Sequence, residues 1–265
     1  MASLISPWPD TCQGAVSLTF DDGLPSQLAL AIPMLEQYGL QATFYINPGD
    51  DYQEKLAPWH AVAHAGHEIG NHSVSHPCSK NFAFISQGGG RALEEMTLDD
   101  IEADIVEAGR RIREIIPGQE SNSYAYTCYQ PFVGRGHTRQ SYVPVVARHC
   151  VAGRGLGEVP NDPNHCDLWY LWSMPGERRT GAELVGITER APAQGRWSIL
   201  TFHGINEGHL SVADNDLEEL CSHLAHNRER LWVAPVAVVA QRVAAWQHQI
   251  ADLLVHDSVW ATTSD

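Results

Sequence analysis

The chain has 265 residues, 43% of them hydrophobic, enough for one large core and within the length an α/β barrel occupies as a single domain. Its 32 acidic against 17 basic side chains give a formal charge of -15, which repels phosphate backbones and anionic bilayers and argues against nucleic-acid or membrane partners. No run of about 18 apolar residues occurs, so no transmembrane helix is expected.

No basic n-region and no long apolar run precede Pro7 and Pro9, so no signal peptide is read. The cysteines at 12, 78, 128, 150, 166 and 221 form no C-x-x-C pair and read as reduced, mostly buried thiols. Both features point to a cytoplasmic protein, or to a secreted one if a leader has been removed.

In chain order, a β-branched run predicts a strand over 15–20, ending at Asp21-Asp22-Gly23. A helix from a Ser26 cap to Gly39 follows, then a strand over 42–46, a helix over 56–65 and a strand over 67–71. Residues 79–91, with three successive glycines, read as a surface loop suited to a lid or substrate rim. Thr97 caps a long helix to Ile115; a strand over 123–126, a helix over 139–150 and a strand over 151–154 come next. Residues 155–195, rich in Pro, Gly and Trp, are irregular. A strand over 197–202, a helix from Asp214 to about Arg230, a strand over 231–233 and a helix from Val236 to about His248 complete the chain. Alternating strands and helices predict a parallel sheet, closed as a barrel or doubly wound.

In such folds chemistry gathers at the C-terminal ends of the strands, which selects Asp21, Asp22, His72, His76 and His203. Histidines four apart fall on one side of a helical turn and can share a cation, although a chain with 14 histidines also spaces some by chance. Adjacent carboxylates on a turn point apart, leaving one to ligate and one to act as base; Asp-Asp-Gly is also ordinary turn chemistry. Two histidines and a carboxylate leave metal positions open for water and substrate, as a catalytic site requires. His203, on another strand, is placed to protonate a leaving group, or is a hydrogen-bonded core histidine.

Thr19-Phe20-Asp21-Asp22-Gly23, His72-Ser73-Val74-Ser75-His76-Pro77 and Leu200-Thr201-Phe202-His203 together resemble, in order, three motifs of the polysaccharide deacetylase family, carbohydrate esterase family 4. The resemblance implies a single-domain distorted (β/α) barrel across residues 1–265. It implies Asp21 as catalytic base, Asp22, His72 and His76 as ligands of one divalent metal, and His203 as general acid. Zinc is the foremost metal expected, with cobalt, nickel, manganese and iron also compatible.

The family's third motif carries an arginine before a Pro-Tyr-Gly turn; this chain reads Tyr124-Ala125-Tyr126-Thr127-Cys128-Tyr129-Gln130, without arginine. Arg154 on the following strand is the expected substitute. Cys128 and Tyr129 fall where the family's turn offers an oxyanion N–H, and Asp167, near Trp169 and Trp172, is the loose match to the fourth motif. The function expected is removal of N-acetyl or O-acetyl groups from a sugar or oligosaccharide. Alternatives are a same-fold amidase for a small non-carbohydrate C–N substrate and a catalytically impaired glycan-binding protein; an iron oxygenase shares the ligand types but no co-substrate site is evident.

Overall fold

A computed structural model describes residues 6–119 and 122–261; residues 1–5, on which the leader reading partly turns, lie outside them. Seven parallel strands close a barrel: β1 (Gly14–Asp21), β2 (Thr43–Ile46), β3 (Glu68–Asn71), β4 (Tyr124–Ala125), β5 (Gly153–Leu156), β6 (Leu171–Pro175) and β7 (Trp197–Phe202). Closure is the pairing of β7 with β1, from Ala15 opposite Trp197 to Phe20 opposite Phe202. An eighth strand, β8 (Leu231–Val233), pairs with Gly14–Val16 of β1, below the point at Thr19 where β2 begins to pair. The expected distorted barrel is the fold found.

The period of two along β1 divides its side chains between two environments. Val16, Leu18 and Phe20 face outward into the main core, where Phe20 stacks on Phe44 and Phe202 at ring separations of 5.0 and 5.3 Å. Truncating such a ring to alanine removes about 3–5 kcal/mol. Ser17 and Thr19 face inward and donate to the carbonyls of Ala234 and Leu200. The lumen is thus a packed polar column. Tyr45 fills its middle, its hydroxyl 2.7 Å from Ser123 Oγ, and a Cβ at Gly70 would lie 2.4 Å from the Tyr45 ring, so glycine is required there. Glu68, buried at the base, accepts from Thr43 and Ser123 and from the backbone N–H of Ala237.

Helices cover the barrel: α1 (Ile32–Gln37), α2 (Leu98–Ile115), α3 (Val143–His149), α4 (Gly181–Gln194), α5 (Asp214–His226) and α6 (Val236–Ala261). Thr97 and Asp100 cap α2 reciprocally, as do Thr180 and Glu183 for α4. None of the helices, among the described residues, is long and apolar enough to cross a membrane.

The structure corrects several expected elements. The stretch 155–195 is ordered, carrying β6 and α4; Gly186 and Pro192 inside α4 hid its period. The helix expected from Ser26 opens with a wider π turn at Gln27–Ala31. The helix expected from residue 139 starts at Val143, because Gln140–Ser141 instead pairs antiparallel with Phe132–Val133. The rim loop holds one short helix, Ala83–Ser86, and α6 runs past His248 to Ala261.

Candidate active site

Asp21 is the last residue of β1, Asp22 the next, His72 follows β3 and His203 follows β7. Strand geometry alone therefore gathers them at the barrel's C-terminal mouth. His72 Nε2 and His76 Nε2 lie 3.6 and 3.5 Å from Asp22 Oδ1. Ligand bonds of about 2.1 Å at tetrahedral angles put donor atoms about 3.4 Å apart, so the three side chains fit one zinc-sized cation. His72 Nδ1 lies 2.9 Å from the Ala125 carbonyl, an acceptor, which makes Nδ1 the donor and leaves the Nε2 lone pair facing Asp22. Burial lowers the pKa of His72 and keeps it neutral, as a ligand must be.

The segment bearing both histidines is not the helical turn expected from their spacing. Ser73 and His76 have φ of 59° and 46°, and Asn71 Oδ1 accepts from Ser73 N to bend the chain. Of the eight non-glycine residues with positive φ among the described residues, five are Asp22, Ser73, His76, Cys128 and Tyr129. Such backbone costs about 1–3 kcal/mol per residue and collects where side chains must be aimed.

Asp21 is nearly fully buried. Arg154 Nη2 donates to both its oxygens at 2.7 and 2.6 Å, and Nη1 donates to Thr201 Oγ1 at 3.0 Å. Thr201 donates to Ser173 Oγ at 2.8 Å, and Ser173 to the Gly155 carbonyl. Burial by itself would raise the Asp21 pKa, but Arg154, with His72 and His203, holds the carboxyl below its ordinary value. Asp21 is therefore an ionised, buried carboxylate at neutral pH. The expected substitution of Arg154 for the absent third-motif arginine has this contact as its geometry.

His203 Nε2 stands 3.9 Å from Asp21 Oδ2. Gln27, from the π turn, donates to the carbonyls of Asp21 at 2.5 Å and His203 at 3.0 Å, tying the two together. His203 Nδ1 is buried without a hydrogen-bond partner among the described residues. Asp167, the expected fourth-motif carboxylate, does not reach it: Asp167 precedes β6, at the opposite end of the barrel, is exposed, and accepts from the backbone of Trp169. A match based on nearby tryptophans carried no information on which strand end the carboxylate occupies.

The turn after β4 differs from expectation at its cysteine. Cys128 is not a thiol but is disulfide-bonded to Cys78, with Cα atoms 5.8 Å apart. Cys12, Cys150, Cys166 and Cys221 are free, so the argument for a reducing compartment loses its basis. Thr127, where the family has proline, donates to the Pro77 carbonyl. Tyr129 lies against Arg154, ring centre 5.5 Å from Cζ, and its buried hydroxyl is pushed up to about 12, mainly by burial. Outside the turn a cavity of about 370 Å³ is lined by Ser79, Glu94, Tyr129, Gln130, Arg135 and Arg139. Gln27, Ser173 and Thr201 were not singled out in the sequence; their signal was only inward-facing polarity on strands and a helix start.

Comparison with known proteins agrees with this fold. Residues 9–129 match the polysaccharide deacetylase family. A chitin deacetylase of Arthroderma benhamiae is 31% identical over 107 residues, covering 38% of this chain and 26% of that protein. A gellan lyase of a Bacillus species is 24% identical over 255 residues, covering 86% of this chain and 9% of that protein. The chain thus spans about a quarter or less of the length of these curated relatives. A Mycobacterium smegmatis crystal structure assigned to the polysaccharide deacetylases superposes with TM-score 0.61 at 16% identity, covering 91% of this chain and 94% of that one. Residues 9–129 of this chain are thus similar to the polysaccharide deacetylase family, and the chain shares its barrel fold with a solved structure across nine-tenths of its length.

Proposed function

We propose that this chain is a metal-dependent deacetylase that hydrolyses the N-acetyl, and secondarily the O-acetyl, groups of a carbohydrate. Asp22, His72 and His76 would hold one divalent cation, zinc first. When bound, such a cation supplies Lewis acidity to a carbonyl and acidifies water toward neutral pH. The remaining steps belong to the protein. Asp21, kept ionised by Arg154, takes a proton from the attacking water. The Cys128 backbone N–H is offered to the carbonyl oxygen as it gains charge, while Tyr129 N donates to the Tyr126 carbonyl at 2.9 Å and holds the turn. His203 Nε2, on the other side of Asp21, gives a proton to the departing amine or alcohol, so that acetyl-sugar and water become acetate and the free sugar.

The observation that carries the reading is the buried Asp21–Arg154 pair set between three metal donors and His203. A glycan-binding module has no use for an ionised buried base beside an acid. The carbohydrate substrate is supported by the family match and by the chitin deacetylase among its relatives. The test is acetate release from N-acetylglucosamine oligomers and acetylated xylo-oligosaccharides by metal-stripped and zinc- or cobalt-reloaded protein, with Asp22→Ala as control. Acetate from reloaded protein only, lost in the variant, is expected. No acetate under any loading, with turnover of small amides instead, would select the amidase reading.

A further inference from the structure

The Cys78–Cys128 disulfide joins the metal-ligand loop to the turn beside the base, and neither sulfur has a role in the chemistry above. His76 stands between two donor sets. Its Nε2 faces Asp22 at 3.5 Å, while its Nδ1 lies 3.7 Å from Cys78 Sγ. The ligand atoms of His76, Cys78 and Cys128 all lie within 4.8 Å of one another. In the disulfide those sulfurs are poor ligands; as thiolates they are strong ones for thiophilic cations.

We propose that this disulfide is the reducible cover of a second metal site, made by the thiolates of Cys78 and Cys128 with His76 Nδ1, and taking a thiophilic divalent cation such as zinc. A neutral imidazole has one lone-pair nitrogen, so His76 serves one of the two sites at a time, and reduction changes how the protein holds its metal. Two sulfurs and one nitrogen leave a fourth position open to water or a small ligand.

The site survives cleavage of the bond because other contacts hold the same two segments together. Thr127 donates to the Pro77 carbonyl and Ser79 N donates to Gln130 Oε1 at 2.8 Å, one contact on each side of the disulfide. Cys78 is fixed further by its N–H to the Arg91 carbonyl, 3.2 Å, and its carbonyl from Leu93 N–H, 3.0 Å. Breaking the S–S bond therefore leaves two thiols facing each other rather than a released loop. Cys128 is partly buried and is the sulfur a reductant can reach, whereas Cys78 is fully buried.

The exchange balances with a dithiol reductant. Its thiolate attacks Cys128 Sγ, the S–S bond breaks toward Cys78, and the second thiol displaces Cys128 from the mixed disulfide. The reductant leaves as a cyclic disulfide, having given two electrons and two protons to the cysteine sulfurs. Cation uptake then releases those two protons.

The inference uses the position of His76 and not the deacetylase reading, and a cobalt titration separates the two. Metal-stripped full-length protein is titrated with Co(II) before and after treatment with a trialkylphosphine, which with one water becomes phosphine oxide and adds no thiol. Thiol titration in denaturant should rise from four to six per chain on reduction. A thiolate-to-cobalt charge-transfer band in the near ultraviolet should appear only in the reduced protein. It should be lost in reduced Cys78→Ser, in reduced Cys128→Ser, and in reduced parent protein alkylated before cobalt is added, which keeps the test open if a variant misfolds. Six thiols before reduction, a bond the phosphine cannot open in the native protein, or a band that persists in both variants would each overturn the proposal. Visible d–d absorption of the oxidised protein reports the Asp22 site alone, and its absence would count against the deacetylase reading only.

Discussion

Arg154→Met tests the core of the site. Arg154 is fully buried and is the cation contacting Asp21 at 2.6 and 2.7 Å. Methionine keeps much of the volume but leaves a carboxylate that is 3% exposed without its counter-charge. Removing one partner of a buried pair costs about 3–5 kcal/mol, which in a chain of this size lowers Tm by on the order of 10 °C. The Asp21 carboxyl is now depressed, so its contribution to stability is present above the unfolded carboxylate pKa and is lost as pH falls through the lower folded value. With Arg154 gone, burial dominates and the pKa rises, moving the acid limb of the acetate-release profile to higher pH. Urea unfolding of Arg154→Met, Asp21→Asn and the double variant, with pH–rate profiles of the active proteins, measures both effects. The double variant should recover part of the loss, since an amide carries no charge to strand. Additive losses, or an Arg154→Met enzyme with the parent's acid limb and stability within 1 kcal/mol by the ~1.4 kcal/mol-per-decade scale, would refute the reasoning.

His203→Ala should lower kcat for acetate release by about 10²–10⁴-fold while leaving cobalt absorption of the Asp22 site unchanged; loss of both would make His203 a structural residue. His67, buried at the barrel base with Nδ1 accepting from Ala42 N, is lowered by burial from 6.5 to about 4. The unfolded chain therefore takes the proton first, and stability falls as pH drops from 6.5 toward 4, by up to about 1.4 kcal/mol per pH unit. Urea midpoints of the parent and His67→Gln between pH 7.5 and 5 should show a shallower slope in the variant, because His72 and the other groups titrate in both; equal slopes would sink the assignment.

The residues at strand ends were legible because a β-branched run that stops at a charged pair marks both an element and its exit. That is why Asp21, Asp22, His72 and His203 could be brought to one mouth before any coordinates. Arg154 was legible only through the gap in the third motif, and its contact with Asp21 depends on strand order. The disulfide was hidden because a pairing across 50 residues follows no local rule. Spacing misled at His72 and His76, where positive φ at Ser73 and His76 replaces the helical turn. The 155–195 region was opaque because its helix contains Pro192 and its strand ends at Pro175, signals that ordinarily punctuate rather than extend regular structure.

Closure of the barrel by β7 on β1 also sets the order in which the protein becomes competent during synthesis. Ala15 waits for Trp197, and Ser17 for Ala234, a separation of 217 residues. At about 5–20 residues per second, the ribosome takes roughly 10–40 s to deliver the closing strand after β1 has emerged. His203 arrives directly after that strand, which itself carries Thr201, the partner of Arg154. A nascent chain stopped after His76 would carry Asp22, His72 and His76 but neither Arg154, which pairs with Asp21, nor His203, so on the proposed mechanism hydrolytic competence would be tied to completion of the ring.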